Sequence, residues 1–266
     1  MRTAIRSALA LAAAVALTLV GPQPGTSVAT PAGPGDRAAA DVRAAGKAIV
    51  RPATLRRVEG GYYFGAWGQN SRVVVTLVDG KLRFSDPRTA RWQGLARSCE
   101  RKRVARGVAA VCRVPNGVTP ANPLTINFEM RLGDDHVDTS TLPAQFRTSA
   151  LLDAGVDVAR TGAGKDFVNG AFDRDLIISG AGNDWVRSGE SGDRVFGGDG
   201  RDRLVGGELG DRLRGGDGID LVEGGPGNDE VYGDAGADRL KCGDGSDAGE
   251  VDPADTQRLS CERSLG

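Results

Sequence analysis

Histidine is nearly absent: His136 is the only one in 266 residues. A zinc protease of the H-E-x-x-H type is therefore excluded, and any Ser-His-Asp triad would have to use His136, at a position that reads as a strand side chain. No G-x-S-x-G elbow of the lipase kind occurs. The G-x-G strings between 162 and 236 are never followed by G-K-[ST], so they do not read as phosphate loops. Long apolar runs are also missing. The single candidate, Ala8 to Val20, is too short to cross a bilayer, so no membrane span is expected. Helical periodicity is scarce throughout, which leaves a chain of strands and turns.

The short apolar run has the character of an export signal. Arg2 and Arg6 precede it and Ser27-Val28-Ala29 offers a small-residue cleavage site, with Ala38-Ala39-Ala40 as an alternative. Residues 1–29 are expected to be a secretory signal peptide and 30–50 a linker, its first part rich in Pro, Gly and Ala. No cysteine lies near the cleavage region, which argues against a lipid anchor. A secreted, soluble protein is expected, and the Ala-, Arg- and Gly-rich composition suggests a bacterial source.

Charge divides the rest in two. Residues 38–151 hold eighteen Lys/Arg against nine Asp/Glu, and residues 152–252 hold eleven against twenty-three. The overall charge of −1 conceals this. Residues 51–151 read as a β-rich N-terminal domain or cap. Arg72–Val78 and Lys81–Ser85 are strand-like runs joined by Asp79-Gly80, a two-residue hairpin signal, and Arg103–Val114 and Leu124–Leu132 read as further strands. Tyr62, Tyr63, Phe64 and Trp67 form either a small core or an exposed binding patch. The basic turn from Glu100 to Gly107 is either a solvated hairpin tip or a contact for an anionic partner. Cys99, Cys112, Cys242 and Cys261 suggest two disulfides in an exported chain. Three pairings exist, and proximity in sequence favours Cys99–Cys112 and Cys242–Cys261.

The acidic half carries a strict period. Aspartates recur every nine residues without a slip: Asp157, Asp166, Asp175, Asp184, Asp193, Asp202, Asp211, Asp220, Asp229, Asp238 and Asp247. An apolar residue follows two positions after each one, except in the last unit, where Gly249 stands. A glycine usually precedes by two, as at Gly164, Gly182, Gly200, Gly218, Gly227 and Gly236. Units such as GGDGRDRLV (197–205) resemble the G-G-x-G-x-D-x-U-x nonapeptide of the RTX, or haemolysin-type, calcium-binding family. The resemblance implies an all-β fold over 152–250, a right-handed parallel β-roll (a β-solenoid) with two nonapeptides per coil. It also implies several Ca2+ ions held by these aspartates and by the carbonyls of the glycine-rich turns, an all-oxygen donor set that suits a hard cation. Gly133-x-Asp135-x-Val137 matches the middle of the unit, so Asp135 belongs to a degenerate first coil and the solenoid begins near residue 124. Residues 251–266 form a C-terminal cap, and the stretch from Cys242 resembles the cysteine-stapled terminator of exported RTX-like proteins; Asp252 and Asp255 there are further candidate ligands.

Eighteen residues per coil would sort the aspartates into two columns, with strands ~4.8 Å apart. Nine adjacent pairs at that spacing repel by roughly 10 kcal/mol in total, comparable with the net stability of a domain. The repeat region is therefore expected to need calcium to fold. In one column the residue two before the aspartate is always glycine. In the other, Asp173, Ser191 and Leu209 take that place in three middle units, with Gly192 and Gly210 positioned to shift the corner by one residue. That second column is expected to be the weaker ladder.

The reading is a monomeric, non-catalytic, secreted calcium-binding module, structural or binding in role, with no nucleic-acid partner expected. Two alternatives stay open: binding of an anionic cell-surface polymer through the basic half, and a small hydrolase of unrecognised type.

Overall fold

The computed structural model describes residues 52–67 and 70–250, and near the C-terminus 254–255, 257–259, 261 and 263–264. The expected signal peptide and linker, and Asp252, lie outside the described residues.

The described residues form strands and turns, with no helix among them. Among the described residues the strands form two sheets, of eleven and twelve strands. From Leu124–Met130 onward the chain alternates between them, so each strand pairs in parallel with the strand two elements later. The register step in the repeats is eighteen: Phe167 pairs with Trp185, Trp185 with Arg203, Arg203 with Leu221 and Leu221 with Arg239. In the other sheet Leu176, Arg194, Arg212, Glu230 and Ala248 pair in the same succession. The result is a parallel β-solenoid of about seven two-strand turns, as the nonapeptide period requires.

The pattern of each strand explains why the turns stack. The apolar residue two after each aspartate points inward. Val168, Ile177, Val186, Val195, Leu204, Leu213, Val222 and Val231 are all fully buried. Each contributes roughly 1.5–3 kcal/mol of burial, but only when a neighbouring turn covers it. The exception at Gly249 has a packing cause. A Cβ there would lie 2.9 Å from the Sγ of Cys261 and 3.5 Å from that of Cys242. The Cys242–Cys261 disulfide occupies the space that an aliphatic side chain fills in every earlier turn.

The roll starts earlier in the chain than residue 124. Gly61–Ala66 pairs in parallel with Leu124–Met130, and Arg72–Val78 pairs in parallel with His136–Asp138. Antiparallel strands then close this end. Ala53–Val58 lies on Gly61–Ala66, Lys81–Asp86 on Arg72–Val78, and Val108–Arg113 between Lys81–Asp86 and Cys99–Lys102. Both sheets thus pass without a break from the basic half into the acidic half. The strand expected over Arg103–Val114 is shorter, Val108–Arg113, because residues 103–107 form the approach to the turn and Gly107 sits at φ +79°. The one expected over Leu124–Leu132 ends at Met130. Cys99 is bonded to Cys112, across the antiparallel pair that contains both.

The aromatic cluster is mostly core. Tyr62 and Phe64 are fully buried and meet Phe84 and Trp92 edge-on, with centroids 5.8 and 6.0 Å apart. Trp67 is partly exposed, with the Arg131 guanidinium 4.2 Å from its ring centroid. The basic turn is a solvent-facing hairpin tip, where Lys102 pairs with Glu100 at 3.2 Å.

Candidate calcium-binding ladders

Each repeat aspartate immediately precedes a strand, so the turn that changes sheets delivers its carboxylate into the seam between successive coils. The two expected columns are present. Asp166, Asp184, Asp202, Asp220 and Asp238 lead into one sheet; Asp157, Asp175, Asp193, Asp211, Asp229 and Asp247 lead into the other. Asp135 heads the second column, since its backbone N–H donates to Asp157 Oδ1 at 2.6 Å. The offset there is twenty-two residues instead of eighteen, because the loop around Thr139–Pro143 adds four.

One bond repeats along both columns. The backbone N–H of each aspartate donates to Oδ1 of the aspartate eighteen residues later, as from Asp157 to Asp175 (2.9 Å), Asp184 to Asp202 (2.8 Å) and Asp202 to Asp220 (2.7 Å). The N–H of Thr148 caps the first column at Asp166 and that of Ser71 caps the second at Asp135, each at 2.6 Å. These two caps are not aspartates, so the periodic pattern passes over them; subtracting one register step from Asp166 would have found Thr148. At the other end, Asp238 N–H donates to Asp255 Oδ1 at 3.2 Å, which places Asp255 at the end of the first column.

The second carboxylate oxygen is a different matter. Oδ2 of Asp135, Asp157, Asp175, Asp184, Asp193, Asp202, Asp211, Asp220, Asp229 and Asp247 is buried and meets no donor among the described residues. Asp166 differs, with Oδ2 accepting from Gly162 N–H at 3.1 Å. None of the ion pairs among the described residues involves Asp175, Asp184, Asp202, Asp211 or Asp220. Asp86, in the capping strands, shows what a satisfied buried carboxylate looks like here: it accepts from the N–H groups of Arg72, Arg88 and Thr89 and from the Thr89 hydroxyl.

Stripped of water, and with a cation near only Asp166 (Arg147) and Asp193 (Arg174), the column carboxylates resist ionising. Burial pushes Asp135, Asp175 and Asp184 up to about 9, and the neighbouring column carboxylates add to the rise. Burial lifts Asp211 to about 8 and Asp157 and Asp220 to about 7. Asp166, Asp193 and Asp229 rise to about 6, and Asp202 rises as well.

Glycine carbonyls share this seam. A Cβ on Gly182 would lie 2.1 Å from Gly164 O and 3.2 Å from Asp184 Oδ1. One on Gly200 would lie 1.6 Å from Gly182 O. Gly164, Gly182, Gly200, Gly218 and Gly236 therefore stack backbone on backbone beside the first column, and Gly227 packs the same way on Leu209 O. No three His, Cys, Asp or Glu side chains converge among the described residues. A cation here would need backbone carbonyls together with the carboxylates. Buried oxygens lacking partners, closely packed carbonyls and unbalanced negative charge fit a hard cation such as calcium.

The model for the RTX calcium-binding nonapeptide repeat matches residues 153–186, 178–213 and 205–240 in overlapping copies. Residues 153–240 are RTX calcium-binding repeats. No curated protein and no solved structure matches the chain. The aspartate ladder extends past both ends of the matched RTX span, to Asp135 and Asp247.

The three irregular RTX units turn on the non-glycine residue itself, at a φ well below the +131° to +146° of Gly182, Gly200 and Gly218. Asp173, Ser191 and Leu209 adopt φ of 64°, 85° and 70°, while Gly192 and Gly210 do not take up the left-handed conformation. The shift of the corner onto these glycines does not occur, because eighteen-residue pairing on both sides fixes the turn. Left-handed backbone costs a residue such as Leu roughly 1–2 kcal/mol, partly offset on replacement by the larger chain entropy of glycine. Leu209→Gly should therefore raise the thermal midpoint of the calcium-saturated protein by ~1–4 °C in scanning calorimetry. A lowered midpoint would show that the exposed Leu209 side chain stabilises the turn.

His136 opens the strand His136–Asp138, between Arg72 and Val158 in register. Burial, then Arg72 and Arg160, hold its imidazole below the usual range, and its Nε2 lies 4.0 Å from Asp138 Oδ2.

Proposed function

We propose that this protein is an exported, non-catalytic structural module whose RTX roll holds several calcium ions along two aspartate columns. The observation that carries the reading is the repeated buried Oδ2 without a donor in both columns. In the first column Asp166, Asp184, Asp202, Asp220 and Asp238 would supply carboxylates, beside the stacked turn carbonyls of Gly164, Gly182, Gly200, Gly218 and Gly236. Asp135, Asp157, Asp175, Asp193, Asp211, Asp229 and Asp247 would serve the second, with Gly227. Calcium supplies the positive charge that the chain's own cations do not bring to most of these carboxylates. Residues 1–29 act as the export signal, residues 51–151 as the cap that starts the roll, and residues 251–266 as the cap that ends it. Because binding favours only the folded state, calcium concentration sets the folded fraction by mass action.

The test is circular dichroism of the disulfide-intact chain, stripped of metal near neutral pH and titrated with calcium, with magnesium as the control. A cooperative gain of β signal with calcium alone is expected, together with several bound ions per chain by elemental analysis. A spectrum that is already β-rich and indifferent to calcium, with no bound metal, would overturn the proposal.

A further inference from the structure

A groove of about 540 Å³ follows the roll axis, on the sheet fed by the first aspartate column. Its rim repeats with the coil. Lys165, Asn183, Arg201 and Ile219 stand one register step apart, each just before a column aspartate. Trp185, Arg203, Leu221 and Arg239 stand one step apart just after them. The indole of Trp185 is 46% exposed and Ile219 is 47% exposed, although each is a large apolar side chain.

Three cations of the roll carry acidic partners. Arg212 pairs with Glu230, Arg214 with Asp234, and Lys241 with Glu223. Lys165, Arg201 and Arg203 are exposed and enter no ion pair among the described residues. In a roll segment with a net charge of −12 (eleven Lys/Arg against twenty-three Asp/Glu over 152–252), these three cations line one groove, while Arg174, Arg187 and Arg194, likewise exposed and outside any ion pair among the described residues, lie away from it. The groove floor carries the opposite charge, from the buried Asp184, Asp202 and Asp220. Lys165, Arg201 and Arg203 face three carboxylates, which leaves the groove nearly neutral while those carboxylates are ionised. Once calcium neutralises the column, the rim is left strongly positive.

We propose that this groove binds a carboxylated polysaccharide laid along the roll axis, an inference that rests on the calcium reading for its switch. Arginine forks pair with carboxylates in two-point fashion, and the indole face offers an apolar platform for a sugar ring. The coil step of ~4.8 Å is close to the length of one pyranose unit, so a chain of uronate residues meets a fresh rim position at each turn. A neutral glycan would leave the rim cations unused. A nucleic acid, with its denser charge, would be opposed by the acidic flanks of the roll and would find one exposed aromatic in the groove instead of a row of stacking platforms. By linkage, the polysaccharide tightens calcium binding as much as calcium tightens the polysaccharide.

The test uses the full disulfide-intact chain and a galacturonate tetramer, too short to gel with calcium, followed by calorimetric titration. Binding is expected in calcium and should be lost in chelator. It should weaken by about tenfold or more in the Arg201→Ala/Arg203→Ala double variant and in Trp185→Ala, both at exposed positions. Calcium-induced circular dichroism of the variants should match the parent, separating a lost contact from a lost fold. Equal binding by the variants, or equal binding of a neutral glucan oligomer, would overturn the proposal. Tighter binding of a single-stranded thymidine oligomer would assign the groove to nucleic acid and overturn it too. If the parent shows no calcium response, the calcium reading fails by itself. The groove is then judged without calcium: tetramer binding that the variants weaken would sustain the site and remove only its switch, and no binding would remove both.

Discussion

In the calcium-free chain, lowering the pH from about 9 to about 4.5 should restore the β signal that chelation removes. The direction follows from the column carboxylates. Burial raises them from an ordinary 3.8 to between about 6 and about 9 in the folded roll. A group whose folded value is raised favours folding fully below its unfolded value, and that contribution is lost as pH rises through the folded one. The metal-free roll is therefore most stable in acid and loses stability as pH rises from the ordinary carboxylate value of 3.8 to the folded values of about 6 to about 9. Each unit of such a shift corresponds to ~1.4 kcal/mol, and the groups act together. Protons thus stand in for calcium by removing the same charge. In the presence of calcium the dependence reverses, since protons compete with the metal, and the calcium midpoint should rise as pH falls. Circular dichroism at matched ionic strength, with and without chelator, reads both effects. A metal-free chain that loses structure steadily on acidification would sink the argument.

Gly218→Ala should disrupt the roll even at saturating calcium. Gly218 sits at φ +146°, and a Cβ there would lie 1.5 Å from the carbonyl oxygen of Gly200. Backbone cannot rotate away as a side chain can, so the two coils must separate or lose register. Separation uncovers the inward Leu213 and removes ladder bonds on both sides. A loss of more than about 3 kcal/mol is expected, read as a large fall in thermal midpoint and a rise in the calcium needed to fold. Gly117→Ala is the control. It also sits at positive φ, +80°, but nothing lies within 4 Å of the added methyl, so the cost should stay near 1 kcal/mol. Equal effects at the two sites would mean that backbone conformation, and not coil contact, sets the requirement for glycine.

The roll was legible in the sequence because its chemistry is periodic. An aspartate every nine residues with an apolar partner two later fixes which side chains face inward, and the eighteen-residue pairing follows once two nonapeptides make a coil. The irregular units were read only in part. The sequence shows which three units lack glycine, but not that Leu209 would take the left-handed conformation while Gly210 beside it does not. Neighbouring coils decide that. The start of the solenoid was less visible still. Gly61–Ala66 and Arg72–Val78 carry no aspartate signature, yet they pair in parallel with the first coil. Their membership depends on long-range pairing and on aromatic packing at Tyr62 and Phe64, which no local pattern encodes. The burial of the second carboxylate oxygen was likewise beyond the period, because it depends on how closely the glycine backbones stack.

The constant register step has a consequence for length. Phe167, Trp185 and Arg203 occupy equivalent places displaced by one coil, so the backbone entering one turn is already aligned to enter the next. A segment of eighteen residues could be duplicated or excised within the roll, and the flanking coils would rejoin with both seams in phase. The caps at the two ends would remain as they are. The molecule is in this sense a ruler graduated in steps of ~4.8 Å, whose reach is adjusted by copy number rather than by redesign.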